Sequence, residues 1–242
     1  MAVFFMWAFC ATKRGTPCQR GDVMIKLNDI YHTVQGEGAM CGTSMVLVRL
    51  HGCAVGCSFC DTKETWALPS TEVDTIIDAL GTNAKFVNAD ESMIRDHVRI
   101  NHPDKWVMVT GGEPFEQDLS DFVMEMHSVA YKVAVETSGT AEPKWHDGHR
   151  PDWITCSPKE DKPVLRSALG HADELKFVIG RHEDIERMEA ELNRLPDKCP
   201  TPVFVQPMSA TQKTTQLCVD TVLKSQGKYC LSIQVHKTLG LR

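Results

Sequence analysis

A chain of 242 residues, 42% hydrophobic and 24% charged, has ordinary globular composition and enough length to bury a proper core, with one domain the default. Its formal net charge of −6 excludes nucleic acid as the main partner, because phosphate binding needs a basic surface, and it suits an enzyme acting on small molecules. Ten cysteines do not read as a secreted disulfide framework. Three are bunched at Cys53, Cys57 and Cys60, while Cys156, Cys199, Cys218 and Cys230 are scattered through strand-like and helix-like segments. The scattered ones are expected to fill the core as free thiols of a cytoplasmic protein.

Residues 1–23 differ in character from the rest of the chain. The apolar run Ala2–Ala11 is too short to span a bilayer, and Lys13 and Arg14 come after it, the wrong order for a secretory signal. The expectation is a disordered or mis-started extension over 1–23, Met24 as the working start, one domain over 24–242 and no membrane partner. Met24 opens the strand-like segment MIKLNDIY.

From Met45 onwards short apolar runs alternate with helical segments. The runs are Met45–Leu50, Trp106–Val109, Lys132–Val135, Asp152–Cys156, Leu175–Ile179, Val203–Val205 and Leu231–Val235. Their continuous apolarity suits parallel strands covered on both faces. Helices are expected over Glu72–Leu80, Glu91–Ile100, Leu119–Ala130, Glu183–Leu195 and Thr211–Ser225. In Glu183–Leu195 the residues Ile185, Met188, Leu192 and Leu195 form one apolar stripe. Thr82–Lys105 reads as a helix-bearing connection, and His146 and His149 fall in a solvated turn built on Asp147-Gly148. This alternation calls for an α/β fold with βαβ crossovers, a full or partial barrel.

A barrel builds its active site from the loops at the carboxyl ends of its strands. His51-Gly52-Cys53-Ala54-Val55-Gly56-Cys57-Ser58-Phe59-Cys60 comes after the first run, and Thr110-Gly111-Gly112-Glu113-Pro114 after the second. Glu136-Thr137-Ser138-Gly139, Ser157-Pro158-Lys159, Gln206-Pro207-Met208 and His236-Lys237 come after later ones. Three thiolates at C-x3-C-x2-C cannot close a tetrahedral zinc site or fill a cubane cluster. Either His51 or a distant cysteine completes a structural zinc site, or an iron corner stays open for a small molecule.

The triplet, joined to Gly112-Glu113 behind the next strand, resembles the radical S-adenosylmethionine enzymes. The resemblance implies a partial (β/α)6-type barrel in which Cys53, Cys57 and Cys60 hold a [4Fe–4S] cluster. S-adenosylmethionine would bind its open iron and be cleaved to a 5′-deoxyadenosyl radical. Within that superfamily, Thr33-Val34-Gln35-Gly36-Glu37-Gly38, Arg49, Cys60-Asp61-Thr62, Glu174-Leu175-Lys176 and Gln234-Val235-His236-Lys237 resemble the 7-carboxy-7-deazaguanine synthases, which serve 7-deazapurine (queuosine) biosynthesis. That family implies a pterin substrate contacted by Val34, Gln35, Gly36, Arg49, Thr110, Glu136 and His236. It implies S-adenosylmethionine contacts at Phe59, Gly112, Glu113, Ser138, Ser157, Pro158 and Lys159, and Mg²⁺ on Thr62. It also implies a flavodoxin-type electron donor and a homodimer. Thr238 departs from the tyrosine frequent there after the terminal His-Lys. A glycyl-radical activase, or a zinc-stabilised binding module, are the competing readings.

Overall fold

The computed structural model describes residues 24–66, 70–81, 84–160, 162–195 and 202–241; the segment before Met24, with the expectation placed on it, lies outside them, as does Cys199. The elements in chain order are β1 (Ile25–Val34), β2 (Ser44–Leu50), β3 (Thr71–Glu72), α1 (Ile76–Ala79), β4 (Lys85–Ala89), α2 (Glu91–Asn101) and β5 (Trp106–Gly111). Then come α3 (Ser120–Ser128), β6 (Lys132–Thr137), β7 (Trp153–Cys156), α4 (Arg166–His171), β8 (Glu174–Ile179), α5 (His182–Asn193), β9 (Val203–Pro207), α6 (Gln212–Lys224), β10 (Cys230–Leu231) and α7 (Val235–Thr238).

One sheet orders these strands β10-β9-β8-β7-β6-β5-β2-β1-β4-β3. From β2 through β5 to β10 every pairing is parallel, as crossover helices require. β1 turns back antiparallel on β2 and carries β4 on its other edge. Six parallel strands, β2 and β5–β9, thus form the partial barrel, with β1 flanking its first member.

Strand alternation divides the core. Val46, Val48 and Leu50 of β2, with Val107, Val109, Val133 and Val135, pack against Ile94 and Val98 of α2 and Phe122, Val123 and Met126 of α3. Leu175, Phe177 and Ile179 of β8, with Val203 and Val205, pack against Leu169, Met188 and Cys218 of the later helices. The opposite set faces the barrel interior. Its lower layer is apolar, built on Met45, Met108 and Ala134 with Trp106 and Trp153 beside them. Above that layer the inward positions are polar: Thr110, Glu136, Lys176 and Gln206. The barrel is therefore filled at one end and open at the other.

Four local readings need correction. Glu72–Leu80 is not one helix: Thr71 and Glu72 pair with Lys85 and Phe86, leaving the single turn Ile76–Ala79, whose first amides Thr75 caps. The 82–105 connection holds β4 as well as α2, because Ile25 and Leu27 of β1 offer it a pairing edge. The last run makes a strand only at Cys230–Leu231, after which Val235 N–H donates to Gly36 C=O and the chain turns helical. Cys156 and Cys218 are buried, but Cys230 lies exposed on β10 and fills no core.

Candidate active site

A cavity of about 300 Å³ opens at the carboxyl ends of the parallel strands. Its walls bring together residues far apart in sequence: Cys53, Cys57, Phe59, Cys60 and Thr62 from the loop after β2, Thr110, Gly112 and Glu113 from β5 and its loop, and Glu136 and Ser138 from β6 and its loop. Ser157 and Lys159 close the far side.

The cysteine loop is pinned at both ends. Gly52 donates to Thr65 C=O at 2.7 Å, and Ala54 N–H reaches both Glu116 carboxylate oxygens at 3.1 Å. Between them Cys60 N–H closes a turn on Cys57 C=O at 3.2 Å. Thr62 N–H lies 3.4 Å from Cys60 Sγ and its hydroxyl 3.6 Å from the same sulfur. All three cysteines are free thiols. Burial pushes the Cys53 and Cys57 thiols up, and the Lys159 ammonium draws Cys57 part of the way back.

Among the described residues, no three His, Cys, Asp or Glu side chains gather as around a metal ion. A cubane binds each thiolate through a different iron and leaves its fourth iron to a small molecule, so three cysteines suffice for it, whereas a tetrahedral zinc site needs a fourth ligand. His51, the candidate fourth zinc ligand, has one ring nitrogen engaged, while its buried Nδ1 has no partner among the described residues. Its Nε2 pairs with Ser70 Oγ at 3.0 Å, and its ring stacks on Phe86 at 4.7 Å.

The loop after β5 packs backbone to backbone against the cysteine loop. Gly112 N–H donates to Leu50 C=O at 2.9 Å and Glu113 N–H to Gly52 C=O at 3.0 Å. A Cβ on Gly112 would stand 1.9 Å from Gly52 O, so only glycine permits this approach. Glu113 is buried and accepts four hydrogen bonds: Phe115 N–H and Thr137 Oγ1 on one oxygen, Ser138 N–H and Oγ on the other. Its carboxylate orders the loop rather than standing free. Lys159 Nζ donates to Ser157 Oγ at 2.7 Å.

Val34, Gln35, Gly36, Arg49, Pro158 and His236 are not among the residues lining this cavity but neighbour those that are. Gln35 Nε2 donates to Glu136 Oε1 at 3.0 Å. Arg49 pairs in register with Thr110 and donates to Tyr31 Oη at 2.8 Å. Gly36 lies so close to His236 that a Cβ would meet its Nδ1 at 2.2 Å. Val34 ends β1, and Pro158 sits between two lining residues without lining the cavity itself. Glu37, Lys176, Gln206, Gln234 and Lys237 line it without having been assigned roles. The signal for Lys176 is a charge inside the apolar run Leu175–Ile179, at an inward position of β8.

A family model described as a 4Fe-4S single cluster domain matches residues 34–147, which span the cysteine triplet and the loops after β5 and β6. The 7-carboxy-7-deazaguanine synthase of Escherichia coli (strain K12) is 34% identical over 223 residues, covering 89% of this chain and 98% of its own. That of Buchnera aphidicola is 32% identical over 221 residues, with the same coverage, and that of Synechocystis 31% identical over 220 residues. The crystal structure of QueE from Escherichia coli superposes with a TM-score of 0.80 at 32% identity, covering 89% of this chain and 96% of that one. The fold of this chain is thus the partial barrel of the radical S-adenosylmethionine superfamily. Identity at this level over nearly the whole length of both partners, on the same fold, makes this chain a member of the 7-carboxy-7-deazaguanine synthase family.

Proposed function

We propose that the chain converts 6-carboxy-5,6,7,8-tetrahydropterin to 7-carboxy-7-deazaguanine and ammonia, as a radical S-adenosylmethionine lyase. The observation that carries this reading is one cavity lined both by the three thiols and by the Lys176–Glu136 carboxylate–ammonium pair. Cys53, Cys57 and Cys60 would hold a [4Fe–4S] cluster. With S-adenosylmethionine bound at its open iron, that cluster supplies one-electron reductive cleavage, chemistry that belongs to the cofactor.

The protein's own part is to bind, orient and exclude water. Gly112, Glu113, Ser138, Ser157, Pro158 and Lys159 would shape the S-adenosylmethionine subsite, with Phe59 against the adenine. Arg49 would meet the substrate carboxylate with a planar fork that lysine cannot reproduce. Val34, Gln35, Gly36, Thr110, Glu136 and His236 would line the pterin site. Thr62 offers a hard oxygen suited to Mg²⁺, which keeps several waters and takes few protein ligands. There the ion would hold the substrate carboxylate as a template. A flavodoxin-type donor, a homodimer and a cytoplasmic setting complete the proposal; among the described residues no helix is long and apolar enough to cross a membrane. A glycyl-radical activase would share the cluster loop but act on a protein substrate, with no need for Gln35, Arg49 or Thr62.

Mg²⁺ dependence tests the finer assignment. Turnover of the carboxypterin by the wild type should rise with Mg²⁺, and Thr62→Ala should lose that response while keeping its full iron and sulfide content. A wild type indifferent to Mg²⁺ removes the ion, and with it the metal role of Thr62, from the proposal.

A further inference from the structure

The floor of the cavity is charged, and the roles assigned to the pterin and S-adenosylmethionine subsites leave most of it unused. Lys176 stands on the inward side of β8, 3% exposed. Its ammonium bonds Glu37, in the loop after β1, and reaches Glu136 Oε1 on β6 at 3.2 Å. Gln35 Nε2 donates to that same Oε1 at 3.0 Å. Glu37 is braced in turn by Gln234 Nε2 at 2.8 Å. Both partners of Glu136 thus hold one of its two oxygens. The other, Oε2, makes no hydrogen bond among the described residues, and Glu136 lines the cavity.

The electrostatics keep this cluster ionised. Burial by itself would raise the Glu37 carboxyl, but the Lys176 charge and hydrogen bond override it and hold the group down at about 2. Burial works against the Lys176 ammonium as well, yet Glu136 and Glu37 together hold it above the ordinary lysine range. Glu174, the third carboxyl near Lys176, is turned to Ala39 N–H at 2.8 Å and Thr155 Oγ1 at 2.9 Å. Other charged groups lining the cavity have their own partners: Glu113 has Ser138, Lys159 has Ser157, and Lys237 has Asp61. None of them competes for Glu136 Oε2. Two carboxylates share a single ammonium here, so the free oxygen is an uncompensated acceptor facing the cavity. Such an acceptor is matched by a ring edge that presents adjacent N–H donors.

We propose that Lys176 is a positioning residue which, with Glu37 as its counter-ion, fixes Glu136 so that Oε2 alone receives the amino and ring N–H donors of a 2-amino-4-oxopyrimidine. The assignment rests on the pterin reading of the proposed function and adds to it the acceptor atom and the residues that aim it. Removing the ammonium alone leaves two buried carboxylates side by side, so that Glu136 takes up a proton or swings away. Removing Glu37 as well relieves that repulsion and leaves Gln35 to hold Glu136.

Reconstituted enzyme carrying its cluster would be compared as wild type, Lys176→Met, Glu37→Gln and the double variant. Readouts are the KM and kcat for 6-carboxy-5,6,7,8-tetrahydropterin and the Kd of S-adenosylmethionine. Lys176→Met should raise KM about tenfold or more, the worth of one charge-assisted hydrogen bond, with kcat and the S-adenosylmethionine Kd much less affected. Glu37→Gln should change KM by less than about threefold, since Lys176 then serves Glu136 alone. The double variant should fall between wild type and Lys176→Met, a rescue that lost packing would not produce. If Lys176→Met does not fold, the double variant, which keeps the net charge of the cluster and spares it two facing carboxylates, carries the test. A raised KM there supports the proposal, and a wild-type KM overturns it. An unchanged KM in folded Lys176→Met, or a double variant no better than that single one, also overturns it while leaving the pterin reading intact. A wild type that neither binds nor converts the carboxypterin defeats that reading first, and the assignment with it.

Discussion

Ser138 gives both its backbone N–H and its hydroxyl to Glu113 Oε2, at 2.8 and 2.6 Å. The loop after β5 and the loop after β6 are therefore joined through one buried carboxylate. Glu113→Ala strands four donors in a buried site, and the expected cost is about 2–4 kcal/mol of stability. The S-adenosylmethionine Kd should rise at least about tenfold, because two walls of its subsite lose their common anchor. Urea denaturation and equilibrium binding check the two effects separately.

Gly112→Ala tests the contact between the loops. Its Cβ would overlap Gly52 O, itself an acceptor for Glu113 N–H, and that backbone atom has no flexible end to yield. The expected result is a folded chain with a displaced cysteine loop and reduced cluster occupancy, measured as iron and sulfide per chain after reconstitution. Full occupancy would mean that the loops tolerate separation.

Acid stability carries the signature of Glu37. Its folded-state carboxyl, down at about 2, lies below the ordinary value of 4.5, so its contribution is present above 4.5 and is lost as pH falls towards 2. The loss through that window is about 3 kcal/mol at most, by linkage. Glu37→Gln should show a shallower decline than the wild type when stability is followed by circular dichroism across this range. Identical slopes would show that the Lys176 pair does not persist in solution.

Much of this architecture is legible in the sequence, for definite reasons. The parallel strands announce themselves because both faces are covered, and six of the seven loops behind the apolar runs supply cavity residues. The departures occur where pairing partners decide. Leu231–Val235 is as β-branched as its neighbours, yet Gly36 and Glu37 capture Val235 and Gln234 and draw the chain off the sheet. Lys85–Ala89 becomes a strand because β1 has a free edge beside it. The charged floor is present in the motifs containing Glu37, Glu136 and Lys176, but only the closing of the barrel makes them one cluster.

The Lys237–Asp61 pair bridges α7 and the cysteine loop at 2.9 Å, with both side chains about half exposed. Such a pair is worth less than about 1 kcal/mol, screened as it is by solvent and salt. Lys237→Ala should therefore leave the thermal midpoint nearly unchanged. A large drop would show that α7 is held mainly by this contact, rather than by the bonds of Val235 and Gln234 to Gly36 and Glu37.

The central claim is that this cavity performs the ring contraction. Anaerobically reconstituted protein, carrying about four iron and four sulfide per chain, would be reduced and given S-adenosylmethionine, Mg²⁺ and 6-carboxy-5,6,7,8-tetrahydropterin. The account predicts 7-carboxy-7-deazaguanine and ammonia in equal amounts, and neither from a folded Cys57→Ala variant. A fully loaded wild type that cleaves S-adenosylmethionine but returns the pterin unchanged, or a purified chain holding one zinc ion and no sulfide, would contradict it.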